Sequence, residues 1–162
     1  MSFKPVILIY DLDNKLVDEI AAEIGATGLY TSINTYNESN AMDAIKQYDR
    51  GFGFLTNKLS CVITGWNDYK KPRDQFLYRL RAIEKAHPLR RPTPIIMVTE
   101  DHRLDLKKRA LDASDGAVCA YLHPDSFKDR LTELLHRVVF QKGAAELNRL
   151  ALETLAEEHG LN

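Results

Sequence analysis

The sequence has few of the residues that mark a disulfide-stapled or membrane-spanning protein. Only two cysteines occur among 162 residues, and Cys61 and Cys119 both lie inside apolar runs, which favours buried small hydrophobes over a disulfide or a metal-ligand pair. No apolar run approaches the roughly 20 residues that a membrane span needs. The apolar stretch near the first residue is too short for a secretion signal, so the sequence predicts a cytoplasmic setting without membrane contact.

An excess of charge of one sign is lacking too. The formal net charge is −1 at pH 7, from 22 Lys and Arg against 23 Asp and Glu, which excludes a global attraction to nucleic acid or to acidic membranes. The length and the hydrophobic content of 44% fit one globular domain, which can bury roughly 70% of its unfolded surface without a metal or a disulfide.

One local exception is a basic segment around the predicted third helix. We interpret it as a solvated face, with an acidic protein partner as the next alternative and nucleic acid as the least favoured one. The residues that carry it are Lys70, Lys71, Arg73, Arg79, Arg81, Lys85, Arg90 and Arg91, against Asp68, Asp74 and Glu84.

Motifs of familiar enzyme chemistry are missing from the sequence. It contains no glycine-rich phosphate loop, no HExxH, no CxxC and no nucleophile elbow. The five histidines are scattered without ligand spacing. The sequence therefore predicts a protein that is not an enzyme and carries no cofactor.

Short apolar runs rich in β-branched residues alternate with segments of helical period, and this alternation is typical of an α/β protein with a parallel sheet. We predict a doubly wound five-stranded sheet in the order 2-1-3-4-5. The second run alternates apolar and polar residues, which indicates an edge strand. The predicted strands are Val6–Tyr10, Leu29–Tyr36, Leu59–Thr64, Pro94–Thr99 and Ala117–Leu122.

Five helices are predicted between and after these strands. Ser39 is the predicted cap of the second and Pro72 the predicted first turn of the third. The third is expected to bury Phe76, Leu80 and Ile83, and the fifth is expected to start near Pro124. The predicted helical ranges are Lys15–Ile24, Asn40–Tyr48, Pro72–Ala86, Leu104–Ala113 and a range from about Pro124 through Val138.

The last residues form a separate amphipathic stretch, so we divide the chain into a domain of residues 1–142 and a helical extension of residues 143–162. Leu147, Leu150 and Leu155 lie on one predicted stripe together with Ala151 and Thr154. An apolar stripe must be covered by something. The extension therefore either packs back on its own domain or, as we slightly prefer, forms a homodimer or docks a partner protein.

Four short strings, each at a predicted strand end, resemble a CheY-like response-regulator receiver domain over residues 5 to about 140. Residues 7–13 read ILIYDLD, residues 62–67 VITGWN, residues 95–100 IIMVTE and residues 120–124 AYLHP. Each string alone is weak, but four in the right order are fairly specific for the fold. The resemblance implies a signalling domain that accepts a phosphoryl group on an aspartate with the help of Mg²⁺.

The residues that this chemistry needs are mostly replaced. In the family two adjacent acids close the first strand and the acceptor aspartate closes the third; here Asp11 matches the first acid, whereas Leu12 and Gly65 stand at the other two positions. Mg²⁺ demands near-octahedral oxygen ligation, so one assured carboxylate predicts poor binding. Asp13 and Asp68 lie close in sequence, but neither can be assumed to reach the site.

The rest of the family's switch is altered as well. The resemblance places Thr99 at the switch threonine, His123 at the conserved lysine and Ala120 at the switch aromatic residue. Tyr121 lies one residue later, where the pleat should point it to the other face of the sheet. His123 could bind an anion, although we favour a turn histidine next to Pro124.

Three functional hypotheses follow from these residues. The first is a phosphorylation-independent pseudo-receiver that binds a protein partner in a signalling pathway through its fourth and fifth helices and the extension. The second rests on residues 66–69 (WNDY) and 115–127 (DGAVCAYLHPDSF), which resemble the receiver-like assembly domain, or wing, of pyridoxal-phosphate-dependent amino-acid decarboxylases. The third, and least favoured, is a working Mg²⁺-dependent phosphoacceptor that uses Asp11, Asp13 or Asp68.

Overall fold

A computed structural model describes residues 4–49, 58–66, 75–86 and 91–160. The strands are β1 (Val6–Tyr10), β2 (Thr31–Thr35), β3 (Leu59–Thr64), β4 (Ile95–Val98) and β5 (Ala120–Leu122). The helices are α1 (Asn14–Gly25), α2 (Glu38–Asp49), α3 (Phe76–Lys85), α4 (Leu104–Leu111), α5 (Leu131–Val139) and α6 (Ala144–His159), and one 3₁₀ turn (Phe127–Asp129) precedes α5.

The five strands form one parallel sheet in the order β2-β1-β3-β4-β5, as predicted. Its central strands are buried on both faces because helices cover both. One core cluster packs α1 and α5 against one face, with Ile7 and Ile63 at its centre. The other packs α2, α3 and α4 against the opposite face, around Leu8 and Met97.

Several predicted boundaries were wrong for local reasons. Strand β5 begins at Ala120 rather than Ala117, because Ala117 has a φ of 52°, which is incompatible with extended backbone. Helix α4 ends at Leu111 rather than Ala113, because the Asp112 carboxylate accepts hydrogen bonds from the Ser114 backbone N–H and hydroxyl at 2.8 and 2.7 Å. That turn competes with a further helical bond.

The starts of α2 and α5 also differ from prediction. Asn37, not Ser39, precedes α2 and accepts a hydrogen bond from the Asn40 backbone N–H at 2.8 Å. The segment after β5 first forms the 3₁₀ turn, so α5 begins only at Leu131. The predicted first turn at Pro72 lies outside the described residues. Strand β2 is shorter than predicted, but it is an edge strand, as its alternation indicated.

Helix α6 packs on its own domain, which was the less preferred of the two predicted arrangements. Leu147 joins the core cluster of α1 and α5, and Leu155 joins the cluster of α2, α3 and α4. Since these clusters lie on opposite faces of the sheet, α6 crosses the edge formed by β5. The buried stripe is rotated relative to the prediction: Asn148 is buried, whereas Leu150 is 37% exposed.

The rotation of α6 follows from the hydrogen bonds of Asn148. Its Nδ2 donates to the carbonyl oxygens of Leu111 at 2.7 Å and Val118 at 2.8 Å. Leu111 O is one of the last carbonyls of α4, which have no partner within their own helix. Satisfying two buried carbonyls outweighs the burial of one more leucine, because an unpaired buried acceptor costs about 1–3 kcal/mol.

Candidate functional site

The predicted site lies at the carboxyl edge of the sheet, where parallel α/β proteins usually bind ligands. The ends of β1, β3, β4 and β5 bring Asp11, Gly65, Thr99 and His123 to this edge. Gly65 and Thr99 are buried, and Asp11 is half-buried. Four of the predicted residues therefore lie on the same side of the molecule, although they do not form one ligand set.

Asp11 fills the space that a side chain at residue 65 would need. A Cβ atom added to Gly65 would lie 2.6 Å from Asp11 Oδ2 and 2.8 Å from the carbonyl oxygen of Val98. The second contact is with backbone of the neighbouring strand, which a rotamer change cannot relieve. The space next to residue 65, just after β3, therefore has no room for a side chain.

Asp13, the alternative acid that follows β1, is engaged in a helix cap. Asp13 caps α1, since its Oδ1 accepts a hydrogen bond from the Leu16 backbone N–H at 3.3 Å. Leu12, at the position of the family's second acid, is 56% exposed. Asp68 lies outside the described residues. Within the described ranges, no group of three or more His, Cys, Asp or Glu side chains is placed to hold a metal ion.

The surroundings of Asp11 raise the pKa of its carboxyl group. Burial raises the pKa of Asp11, the hydrogen bond from the Asp13 backbone N–H opposes this rise, and the Asp13 charge adds to it. That hydrogen bond, 2.9 Å from the Asp13 nitrogen to Asp11 Oδ1, ties the carboxyl to the turn between β1 and α1.

Thr99 and His123 are both engaged in local turns. The hydroxyl oxygen of Thr99 accepts a hydrogen bond from the Asp101 backbone N–H at 3.2 Å. Nδ1 of His123 accepts one from the Asp125 backbone N–H at 3.1 Å, and an Asp125 carboxylate oxygen lies 3.6 Å away. These contacts favour the interpretation of His123 as a turn histidine.

A cluster of aromatic side chains at this edge was not predicted. Trp66 Nε1 donates a hydrogen bond to Tyr121 Oη at 2.6 Å, and Tyr121 Oη donates to the carbonyl oxygen of Asp101 at 2.5 Å. The ring centre of His102 lies 5.0 Å from that of Tyr121, and the ring centre of Tyr78 lies 6.1 Å from that of Trp66. We call these four residues, Trp66, Tyr78, His102 and Tyr121, the aromatic cluster.

Helix α4 contributes two cations to the aromatic cluster. Lys107 Nζ lies 5.7 Å from the centre of the Tyr121 ring, and the Arg109 guanidinium lies 4.9 Å from that of Tyr78. Both distances are within the range of cation–π attraction. The predicted alternation of β5 holds, because Ala120 packs in the core cluster of α1 and α5, whereas Tyr121 packs against the opposite one.

The predicted basic face is only partly a surface. Arg81 is buried: its Nη1 lies 2.5 Å from Glu84 Oε1 and 2.9 Å from the Thr93 carbonyl oxygen, and its Nε donates to Gly116 O at 2.8 Å. Arg79 pairs with Glu38 of α2. Lys70, Lys71, Arg73 and Arg90 lie outside the described residues.

A cavity of about 530 Å³ lies at the opposite, amino edge of the sheet. Apolar side chains of α2, α3 and α5 line it together with Lys58, Arg91 and Lys142. Residues 50–57 and 87–90, which directly precede Lys58 and Arg91, are not among the described residues. In the described part of the chain, no helix is long and apolar enough to cross a membrane.

Comparison of the sequence with protein-family models and with curated proteins gives no match. Among solved structures, a response regulator receiver domain protein from Clostridium thermocellum is 18% identical, with 85% of this chain and 96% of that chain covered and a TM-score of 0.62. The signal receiver domain of an HD domain-containing protein from Pseudomonas fluorescens Pf-5 is 18% identical, with 94% and 95% covered and a TM-score of 0.63.

The Salmonella typhimurium RcsB response regulator is also similar, at 14% identity and a TM-score of 0.67, with 96% of this chain and 69% of that chain covered. Its structure was described in connection with DNA interaction. The chain therefore has the CheY-like fold of response-regulator receiver domains, with an additional C-terminal helix. None of these three structures is a decarboxylase wing domain, so that alternative gains no support from them.

Proposed function

We propose that this chain is a phosphorylation-independent receiver-like domain that acts as a protein–protein interaction module in cytoplasmic signal transduction. The observation that carries the proposal is that Asp11 and the Val98 carbonyl occupy the space beside Gly65, so the acceptor position has neither a carboxylate nor room for one. A phosphoryl group needs a nucleophile and a cation to neutralise its charge. Among the described residues at this edge, Asp11 is the predicted acid whose carboxylate points toward the acceptor position.

In this role the domain binds a partner and does not accept a phosphoryl group. Arg81 is buried and Arg79 is paired with Glu38, so Lys85 and Arg91 are the exposed cations that remain among the described residues of the predicted basic segment. Because a phosphate backbone is usually bound by a larger set of cations, we prefer a protein partner to nucleic acid. The receiver fold supplies the shape of a signalling module, and the exposed Leu12 is an apolar contact point at its carboxyl edge.

The first test is the response to phosphoryl analogues. We expect that Mg²⁺ with beryllofluoride or with acetyl phosphate leaves the fluorescence of Trp66 unchanged, and that the intact mass shows no phosphoryl adduct after acetyl phosphate. A phosphorylatable receiver domain treated in parallel is the positive control. Saturable, Mg²⁺-dependent quenching of Trp66 or a stable aspartyl phosphate would refute the proposal.

We further propose that the protein forms a homodimer through the outer face of α6. Leu147 and Leu155 are buried against their own domain, so Leu150 is the predicted stripe leucine that a second copy can contact. We expect sedimentation velocity to show a concentration-dependent dimer that Leu150→Glu weakens at least tenfold. Leu29→Glu, at an exposed leucine outside α6, is the matched leucine-to-glutamate control and should leave the dimer unchanged. A chain that stays monomeric at all concentrations would remove the dimer from the proposal.

A further inference from the structure

His102 occupies an unusual place in the aromatic cluster. Its ring meets Tyr121 edge to face, with centroids 5.0 Å apart and planes at 85°, and lies 5.4 Å from the ring of His123. Its Nε2 is buried and has no hydrogen-bond partner among the described residues. A protonated imidazole carries N–H groups on both nitrogens, so the charged ring would keep a buried donor without an acceptor.

The groups that face His102 oppose a positive charge on it. Lys107 of α4 lies over the same Tyr121 ring, and His123 follows β5. Asp101, the carboxylate next to His102 in sequence, has both oxygens bonded to the Arg103 guanidinium at 2.7–3.1 Å. Asp105 lies in the first turn of α4 on the Arg103 side. The Asp125 carboxylate is 3.6 Å from His123 Nδ1.

These surroundings fix the direction in which His102 titrates. Burial, followed by the charge of Lys107, lowers the pKa of His102, and the carbonyl groups of Leu122 and Thr99 partly oppose this. The charge of His123 lowers it further. The folded arrangement binds a proton on His102 more weakly than a solvent-exposed imidazole does. Its stability is therefore fully present above the ordinary histidine pKa near 6.5 and falls as the pH drops below that value.

The hydroxyl of Tyr121 connects His102 to two loops and a helix. It accepts a hydrogen bond from the Trp66 indole, which follows β3, and donates one to the backbone of Asp101, which follows β4. Lys107 attaches α4 to the same ring. If the His102 ring moves away from Tyr121, it no longer packs against that side chain. The contacts of Tyr121 with the Trp66 indole, the Asp101 carbonyl and Lys107 are then weakened.

We propose that protonation of His102 releases the loop between β4 and α4 and frees Trp66 from Tyr121, so that the carboxyl edge of the sheet changes conformation with pH. The proton comes from solvent and binds the buried imidazole nitrogen. The charged ring then turns out to water, where both of its N–H groups are solvated. This device is independent of any phosphoryl group.

Trp66 is a clean reporter because it is the chain's single tryptophan. Between pH 7.5 and 5 we expect one step in its fluorescence with a midpoint below about 6.5. The protection of its indole N–H against hydrogen exchange, corrected for intrinsic exchange, should fall by up to about tenfold per pH unit below that point. The far-ultraviolet circular dichroism should stay constant over the step, whereas a coincident loss of helix would overturn the proposal.

Variants separate His102 from the other histidines. His102→Phe keeps a ring beside Tyr121 but cannot be protonated, so the step should disappear, and His136→Gln on the exposed surface of α5 should retain it. A step that persists in His102→Phe overturns the proposal. Should His102→Phe fail to fold, His123→Gln decides: removing its charge should move the midpoint to higher pH, and an unchanged midpoint refutes the mechanism.

A last variant tests the link from His102 to Trp66. Tyr121→Phe removes the hydroxyl that Trp66 and Asp101 share but leaves the ring that His102 contacts. NMR should show that His102 still titrates below pH 6.5 in this variant, while Trp66 no longer responds to pH. A Trp66 step of unchanged size would show that the tyrosine hydroxyl does not transmit the change, and would overturn the proposed connection.

Discussion

Replacing Arg81 with methionine is expected to lower the free energy of unfolding by about 3–5 kcal/mol, because it removes one partner of a buried ion pair. The Arg81 and Glu84 side chains are 8% and 13% exposed. Without the guanidinium, Glu84 retains the hydrogen bond from the Thr93 backbone N–H, while the carbonyls of Gly116 and Thr93 lose their donor. Urea denaturation followed by circular dichroism measures the change.

Arg79 provides the matched control for this experiment. It lies on the same helix and also pairs with a glutamate, but Arg79 and Glu38 are 40% and 30% exposed, so Arg79→Met should cost no more than about 1 kcal/mol. The double variant Arg81→Met/Glu84→Gln should recover part of the loss, because no unpaired charge is left in the interior. Equal effects of Arg81→Met and Arg79→Met would contradict the structural role of Arg81.

Restoring an aspartate at residue 65 is expected to damage the domain without recovering Mg²⁺ binding, even in combination with Leu12→Asp. The new Cβ would clash with Asp11 Oδ2 and with the backbone of Val98, and such overpacking costs about 1–3 kcal/mol. The second carboxylate would also repel Asp11. Urea denaturation measures the stability, and Mg²⁺ titration followed by Trp66 fluorescence measures the binding.

Alanine variants separate the steric part of this effect. Gly65→Ala should destabilise the protein, and Asp11→Ala in the same chain should relieve only the contact with the carboxylate, since the Val98 carbonyl is backbone. Gly25→Ala, at the end of α1 with no atom within 4 Å of the added methyl, is the matched control and should stabilise by up to about 1 kcal/mol. Recovered Mg²⁺ binding in Gly65→Asp/Leu12→Asp would contradict the proposed loss of the pocket.

Much of the fold followed from the sequence because its signals are local and periodic. The apolar runs predicted the strands, and the alternation around Ser32 and Ile33 marked β2 as an edge. The order 2-1-3-4-5, inferred from that edge position, was confirmed. The pleat alone put Ala120 and Tyr121 on opposite faces. Boundaries failed where a side chain or a positive φ ended an element early, as at Asp112 and Ala117.

The candidate site was less predictable because its contacts join residues far apart in the chain. The resemblance showed that Gly65 stands where the family has an acid, but not that the Asp11 carboxylate occupies the space that a side chain there would need. No local pattern marked Arg81 as buried, since its partners Gly116 and Thr93 are brought to it by the sheet. The hydrogen bond between Trp66 and Tyr121, 55 residues apart, likewise depends on the packing of β5 beside β4.

The passage of α6 across β5 limits how this sheet can grow. A parallel sheet has two edge strands, and an uncovered edge can pair with a strand of another chain. Here α6 crosses the β5 edge, with its leucines in the cores of both faces, so an added strand would have to pair with β2. A molecule with one edge strand available for pairing can join a second copy edge to edge. It cannot form a continuous β-sheet through many copies.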